Sequence, residues 1–337
     1  VDDLLNALVV LANFVVIPAM SYGSQLALGA LGVTLVYGVL RFSNFAHGDT
    51  MAFGAMVAVL VTSLLQGLGI SIAPLPTALL ALPVAVGATI VLVLLTDRLV
   101  YDHYRRQRAA PVVLVMVSIG VMFVMNGIVR LVIGVGDRMF TDGARFIVTV
   151  PDFRAWSGLQ EGLAIRTTQA ITLVTAVLMV GFMFWLLNRT RVGKAMRAFA
   201  DNEDLALLSG IRPERVVRLT WVLAAALAAT AGTLYGLDKS FKAFTYFQLL
   251  LPIFAAAIVG GLGSPQGAIA GGFLIAFSEV TLTYAFKRVL GHLLPERWAP
   301  EGLAQLLSTD YKFAVSFAIL VVVLLVRPTG LFRGRSV

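Results

Sequence analysis

The sequence predicts an all-α fold: a polytopic transmembrane helix bundle of about eight to ten helices, some short or re-entrant. Three observations carry that reading. Hydrophobic residues make up 59% of the 337 residues and charged residues only 13%, where soluble domains carry about 25% charged residues. Mean hydropathy is +0.90. Apolar runs of about 20 residues, enough to cross a bilayer, recur along the chain. This composition excludes an ordinary soluble enzyme, a disordered chain and a nucleic-acid-binding domain. The formal charge of +8 reads as basic residues retained in cytoplasmic loops.

Taken in order, the spans fall at roughly 22–41, 49–66, 75–96, 111–134, 169–188, 216–236, 249–262, 265–286 and 312–327. The apolar stretch 4–20 is a further span, an interfacial helix or the front half of a kinked first helix. It opens on Asp2 and Asp3 rather than on basic residues, unlike a cleaved signal peptide. The run 249–262 is short enough to be incomplete or re-entrant. One membrane domain over 1–337 is expected.

Loop charge sets the orientation. Arg98, Arg105, Arg106 and Arg108 lie in 97–108; seven arginines and lysines from Arg189 to Arg218 lie in 189–218; Arg327, Arg333 and Arg335 lie in the tail. These three segments are expected on the cytoplasmic side. The segments 135–168 and 287–312 mix both signs, the latter with Trp298 and two prolines, and belong on the opposite side. Gly267 and Gly271 form a GxxxG, which lets helix backbones approach closely in lipid. That spacing fits plain helix packing or a place where helices slide.

The most informative polar stretch is 189–218. Asn202 is a candidate N-cap, Glu203 and Asp204 occupy the first turn, Leu205, Leu207 and Leu208 follow, Gly210 stops the helix and Pro213 blocks its continuation. The result is a helix of about two turns, too short to be stable alone. It docks either on its own helix ends or on a separate cytoplasmic subunit.

Residue types limit the chemistry. There are no cysteines, and the three histidines, His47, His103 and His292, are far apart, so neither a metal site nor a cysteine nucleophile is expected. No GxxxxGK[ST], GxSxG or HExxH occurs, and the glycine-rich run 260–267 fails GxGxxG at Gln266. That run reads as a tight turn at the membrane face. No catalytic residue and no cofactor is expected. An energised transporter without a nucleotide site of its own would have to borrow energy from an ion gradient or from an ATPase subunit. An ion-coupled carrier would place more carboxylates in its spans, where Glu279 is nearly solitary.

Three segments then carry a family resemblance. LGVTLVYGVLRFSNFAHGD (31–49), GKAMRAFADNEDLALLSGIRPERVVRLTWVLAAALAATAGTLYG (193–236) and AAAIVGGLGSPQGAIAGGFLIAFSE (255–279) resemble, in order, three regions of the LivH-type permeases of branched-chain amino acid ABC importers. The resemblance implies a multi-pass permease of the bacterial inner membrane, itself non-catalytic. It implies a LivM-like second permease, two cytoplasmic ATP-binding subunits (LivG/LivF-like) and a periplasmic substrate-binding protein as partners, with membrane lipid around it and no nucleic acid. The cargo implied is a branched-chain or related hydrophobic amino acid. The wider family also serves urea, short amides and other small carboxylates. In this setting 189–218 is the coupling loop, and Asn202, Glu203, Asp204, Leu205, Leu207, Leu208 and Gly210 are expected to engage the ATPase. The long segments 285–311 and 135–168 depart from the family pattern; they contact the binding protein or are tolerated insertions.

Polar residues inside the spans mark the candidate pathway. Asn44, Phe45, His47, Asn126 and Glu279 are the expected pathway residues. Asn44 and His47 cluster with Asp49 at the break between two spans, where exposed helix termini can bind a zwitterion; Asn44 or Ser43 can equally cap the following helix. Asn126 and Arg130 share a helix face. Asn126 fits a hydrogen bond across helices, and Arg130 fits snorkelling. Glu279 fits pairing with a neighbouring helix or a place on the pathway. Phe42, Met51 and Phe53 are apolar lining candidates by location.

Overall fold

The computed structural model describes residues 2–140, 142–293, 302 and 304–332. Trp298, both prolines of 287–312, Arg333 and Arg335 lie outside the described residues.

The first helix, α1 (Asp2–Leu40), runs unbroken for 39 residues. It widens into a π turn over Ala12–Val16, just before Pro18. A proline in a helix interior clashes with the carbonyl four residues back, and a π turn relieves that crowding. The 4–20 stretch is therefore the front of the first helix and not a separate span. Arg41, in the left-handed region (φ 59°), ends α1, with its amide on Tyr37 O at 2.9 Å.

After an irregular stretch come α2 (His47–Gly67) and α3 (Ala78–Arg106). The sequence placed a loop at 97–108, but helical backbone continues through a π turn at Asp97–Tyr101 to Arg106. Two of its arginines are paired along the helix: Arg105 Nη1 meets Asp97 Oδ1 at 2.5 Å and Arg106 Nε meets Asp102 Oδ2 at 2.8 Å. Next are α4 (Pro111–Ile133), a two-stranded antiparallel ribbon of β1 (Phe146–Val148) and β2 (Ile165–Arg166) enclosing α5 (Val150–Ser157), and α6 (Thr167–Arg189). Two short helices, α7 (Arg191–Asp201) and α8 (Glu203–Leu208), precede α9 (Pro213–Lys239).

The short run 249–262 proves to be a complete helix, α10 (Ala243–Gly260). Tyr246 and Gln248 interrupt its apolar pattern, but Tyr246 is fully buried and its hydroxyl donates to Gly232 O at 2.9 Å. Gly261 (φ 110°) and Gly263 (φ 83°) make the turn into α11 (Pro265–Thr283), capped by Ser264. A short α12 (Lys287–Leu293) and α13 (Lys312–Val326) complete the described helices. Among the described residues, eight helices are long and apolar enough to cross a membrane. The glycine-rich α11 is not one of the eight, and it is buried between α1 and α10.

Helices α1, α2, α9 and α10 form the core, with Leu28, Ala52, Leu227, Ala228, Ile253 and Ala256 fully buried. The outer helices α4, α6 and α13 present Phe123, Leu131, Leu178 and Leu325 outward. Such aliphatic exposure is that of a surface whose solvent is hydrocarbon.

Packing brings the basic segments together on one face. Arg41 Nη2 donates to Ala200 O. Tyr101 stacks on Trp221 at 5.1 Å between ring centroids. The tail returns to the α10–α11 turn through Leu331 N on Val259 O at 2.8 Å. The mixed-charge segments gather on the other face. There Asn6 Oδ1 accepts from Glu161 N (3.0 Å), Asn13 Oδ1 from Ala164 N (3.1 Å), and Asp142 Oδ2 from Thr77 N (2.7 Å).

Glu161 is the hub of that second face. Arg288 donates Nε and Nη2 to its two carboxylate oxygens at 2.9 and 2.8 Å, and His292 Nε2 lies 2.9 Å from Oε1. Burial pushes this carboxyl up, but the hydrogen bonds and charges of His292 and Arg288 outweigh it and hold it below the ordinary glutamate range. A carboxyl depressed in the folded state contributes stability above its unfolded value and loses it as pH falls through the folded value. Pepsin cleavage within 158–165, taken relative to that of Glu161→Gln at the same pH, is therefore expected to rise towards one as pH falls below about 4. Glu161→Gln is expected to expose the same segment to proteases at neutral pH. Cleavage independent of both would show that the cluster does not hold the segment.

Candidate functional site

The 189–218 segment is built as a bracket. Thr190 Oγ1 caps α7 by accepting from Gly193 N at 3.0 Å. Gly193 is a positional necessity, because a Cβ there would fall on the carbonyls of Leu186 and Leu187 at the end of α6. Met196 and Phe199 turn inward and are buried, while the arginines of α7 face out. A helix this amphipathic lies against the bundle with its charges in water. The sequence reading placed one short helix in 189–218, from Asn202 to Gly210, and counted the arginines and lysines before it only as loop charge. The structure shows an anchored helix, marked in the sequence by Gly193, Met196, Phe199 and Ala200 at helical spacing.

The next helix, α8, forms as expected. Asn202 Oδ1 accepts from Leu205 N at 2.9 Å, Glu203 and Asp204 fill the first turn, and Gly210 (φ 80°) ends it with its amide on Leu207 O at 2.9 Å. Ala206 is buried against the bracket. Leu205, Leu207 and Leu208 are 62%, 44% and 85% exposed. Thus Ala206 is the buried side chain of α8, and three leucines stay uncovered on a face rich in charge. Apolar groups clustered on a polar surface mark an interaction site.

The break between α1 and α2 is the second centre. Asn44 is buried, and its Oδ1 accepts from Ala46 N (3.1 Å) and from Tyr101 Oη (3.2 Å). It shapes the turn instead of capping α2, whose N-cap is Ala46 without a side-chain bond. Half-buried Phe45 donates its amide to Ser118 Oγ at 3.1 Å and packs its ring on Phe254, 5.1 Å between centroids. His47, in the first turn of α2, is buried against Gly32, where a Cβ would stand 2.6 Å from His47 Cε1. Its Nε2 has no hydrogen-bond partner among the described residues. Asp49 is fully buried; Asn126 Nδ2 donates to its Oδ1 at 2.7 Å, while Oδ2 has no partner among the described residues. Asn126 thus makes the cross-helix bond expected of it, and Arg130 one turn on is exposed.

Asn44, Phe45, His47 and Asn126 therefore belong to one region where α1, α2, α3 and α4 meet. Glu279 does not. It is fully buried on α11, where Ser316 Oγ donates to its Oε1 and Lys312 Nζ lies 3.7 Å from its Oε2. Lys312 also sits 3.8 Å over the ring of Tyr22. Tyr22 is about two turns along α1 from the Gly29–Gly32 stretch that faces His47. A buried carboxylate paired and hydrogen-bonded in this way ties helices together. Sequence reading missed Lys312, Ser316 and Tyr101. The first two are far from Glu279 in the chain, and Tyr101 sat in a segment read as loop. Of the apolar lining candidates, Phe42 and Met51 are buried and Phe53 is partly buried. Phe42 packs on Tyr101 and Trp221, 5.5 and 6.4 Å between centroids.

Comparison with known proteins agrees over nearly the whole chain. Residues 16–324 match the family described as branched-chain amino acid transport system / permease component. The chain is 32% identical over 322 residues to the high-affinity branched-chain amino acid transport system permease protein LivH of Escherichia coli, covering 94% of this chain and 93% of that one. It is 29% identical over 318 residues to the corresponding permease protein BraD of Pseudomonas aeruginosa, covering 94% of each. A shorter similarity, 25% over 150 residues, joins 41% of this chain to 35% of LivM, a permease protein of the same Escherichia coli system. Matched over nearly its whole length, the chain belongs to the branched-chain amino acid transport system permease family.

Proposed function

We propose that this chain is a multi-pass inner-membrane permease subunit of a branched-chain amino acid ABC importer, with α8 as the element through which a cytoplasmic ATPase moves it. The observation that carries the proposal is the exposure of Leu205, Leu207 and Leu208 on a helix locked to the bundle by α7. Two ATP-binding subunits would supply the energy, and the exposed leucines would sit in an apolar groove on one of them. A substrate-binding protein would deliver cargo to the face that carries Glu161. A second, LivM-like permease is supported by the printed names of two relatives, LivH and LivM, which are both permease proteins of one system. In this reading the chain performs no covalent chemistry.

Force applied at α8 has a short route inward. The bracket helix α7 rests on the end of α6 through Gly193 and is tied to Arg41 at the end of α1. Arg41 opens the irregular stretch that leads to Asn44 and His47. Tilting α7 therefore pulls directly on the break between α1 and α2, the place where polar groups and helix ends are available to a zwitterion.

The experiment is reconstitution. The chain, co-purified with its second permease and ATPases and supplied with the binding protein, is expected to take up leucine into proteoliposomes in a vanadate-sensitive manner. Uptake by the purified chain alone under an ion gradient would make it a secondary carrier and overturn the reading.

A further inference from the structure

The basic face also holds a cavity of about 330 Å³ that neither α8 nor the polar break uses. Leu35, Phe184 and Met196 give it an apolar wall, and Arg41 and Arg197 stand in its lining. Thr34 lines it as well, and its buried hydroxyl has no hydrogen-bond partner among the described residues. The volume lies at the low end of ligand pockets. An apolar wall beside two guanidinium groups selects a small molecule with a hydrocarbon body and a carboxylate, since guanidinium pairs bidentately with carboxylates. The N-terminal end of α11, at Pro265 and Gln266, borders the same space and adds its positive dipole end.

We propose that this cavity is an inhibitory site for an aliphatic amino acid acting from the basic face. The proposal rests on the transport reading above, which makes such an amino acid the cargo. Its logic is mechanical. One wall is α7, through Met196, Arg197 and Asp201; the others are the end of α6, the end of α1 and the α10–α11 turn. A ligand filling the space braces α7 against them. The bracket that carries α8 then cannot tilt, and cargo accumulated on the ATPase side slows its own entry.

The test uses the complete complex in proteoliposomes with L-leucine preset on the ATPase side. Two variants probe the cavity. Gly38→Leu fills it: Gly38 lines the space, and the nearest atom to an added Cβ is Gly263 Cα at 3.9 Å. Arg197→Gln removes an exposed charge whose only described bond is a 3.5 Å contact with Asn188. ATPase-side leucine is expected to slow wild-type uptake and ATP hydrolysis at least about fivefold, a typical allosteric coupling. Arg197→Gln is expected to run at the unloaded wild-type rate with or without it, and Gly38→Leu, whose side chain itself fills the space, at the slowed rate with or without it. Equal slowing of wild type and variants, or no slowing of either, overturns the proposal. Direct L-leucine binding to the detergent-purified chain, without ATPases or binding protein, separates the two readings. Binding that Gly38→Leu abolishes, in a chain that supports no uptake, would remove the transport reading and keep the cavity. Intact uptake with no such binding removes the cavity. Phospholipid that co-purifies with wild type and is lost from Gly38→Leu, with no leucine binding, assigns the space to lipid and also overturns the proposal.

Discussion

Leucine uptake by a complex carrying Leu208→Asp is expected to fall by more than about tenfold while the permease stays folded and inserted in the membrane. The side chain is 85% exposed, so the folded chain has little to lose from the change. Its loss falls on the partner surface. Burying a leucine contributes about 1.5–3 kcal/mol, and a carboxylate forced into an apolar groove adds a desolvation cost. Two kcal/mol already weakens docking about 30-fold. ATP hydrolysis by the remaining complex would no longer follow uptake. Ala206→Asp is the necessary contrast: Ala206 is buried against the bracket, so that variant should fail by misfolding, seen as loss of monodisperse protein. Wild-type uptake in Leu208→Asp, with normal co-purification of ATPases, would remove α8 from the coupling role. The double variant Leu207→Asp/Leu208→Asp should be no more stable and no less folded than wild type, because both residues lie on the open face.

Most spans were legible because a membrane helix announces itself by length and apolarity, though 265–286, read as a span, is not among the eight; the gathering of the basic segments on one face was legible because charge sorts by loop. The cap at Asn202 and the stop at Gly210 were legible because both act on backbone within a few residues. Contacts between distant segments were not. Nothing near Glu279 in the chain identifies Lys312 and Ser316 as its partners; only the packing of α11 on α13 does. The start of α10 was hidden for a different reason. Tyr246 lowers the hydropathy of its segment, yet its ring is buried and its hydroxyl is satisfied by a carbonyl of α9, which sequence alone cannot show. The anchored helix α7 was legible but misread. Its charges dominate its composition, and the inward set of Gly193, Met196 and Phe199 emerges only when read at helical period.

The largest effect on folding is expected at Gly271 and Gly272. These neighbours lie about 100° apart around α11 and meet different helices. A Cβ on Gly271 would fall on the carbonyl oxygen of Ala256 in α10, and one on Gly272 would stand 2.6 Å from Ala27 N and 2.7 Å from Ala27 Cα in α1. Both obstacles are backbone, so no rotamer change relieves them; a whole helix must move. Between helices in lipid the hydrophobic effect gives no compensating attraction, and close backbone packing is itself the source of cohesion. Overpacking a fitted core costs about 1–3 kcal/mol even where side chains can yield. Gly271→Ala and Gly272→Ala should each exceed about 3 kcal/mol for that reason and lower the midpoint of thermal unfolding in detergent sharply. Gly181, in α6, is the control: nothing lies within 4 Å of an added Cβ. Gly181→Ala should leave the midpoint unchanged or raise it, since alanine is favoured over glycine in a helix interior by about 0.5–1 kcal/mol. Equal midpoints for Gly271→Ala and Gly181→Ala would mean that α11 is free to shift against its neighbours. The GxxxG would then be a sliding contact, and the route from α8 to the break between α1 and α2 would have to include α11.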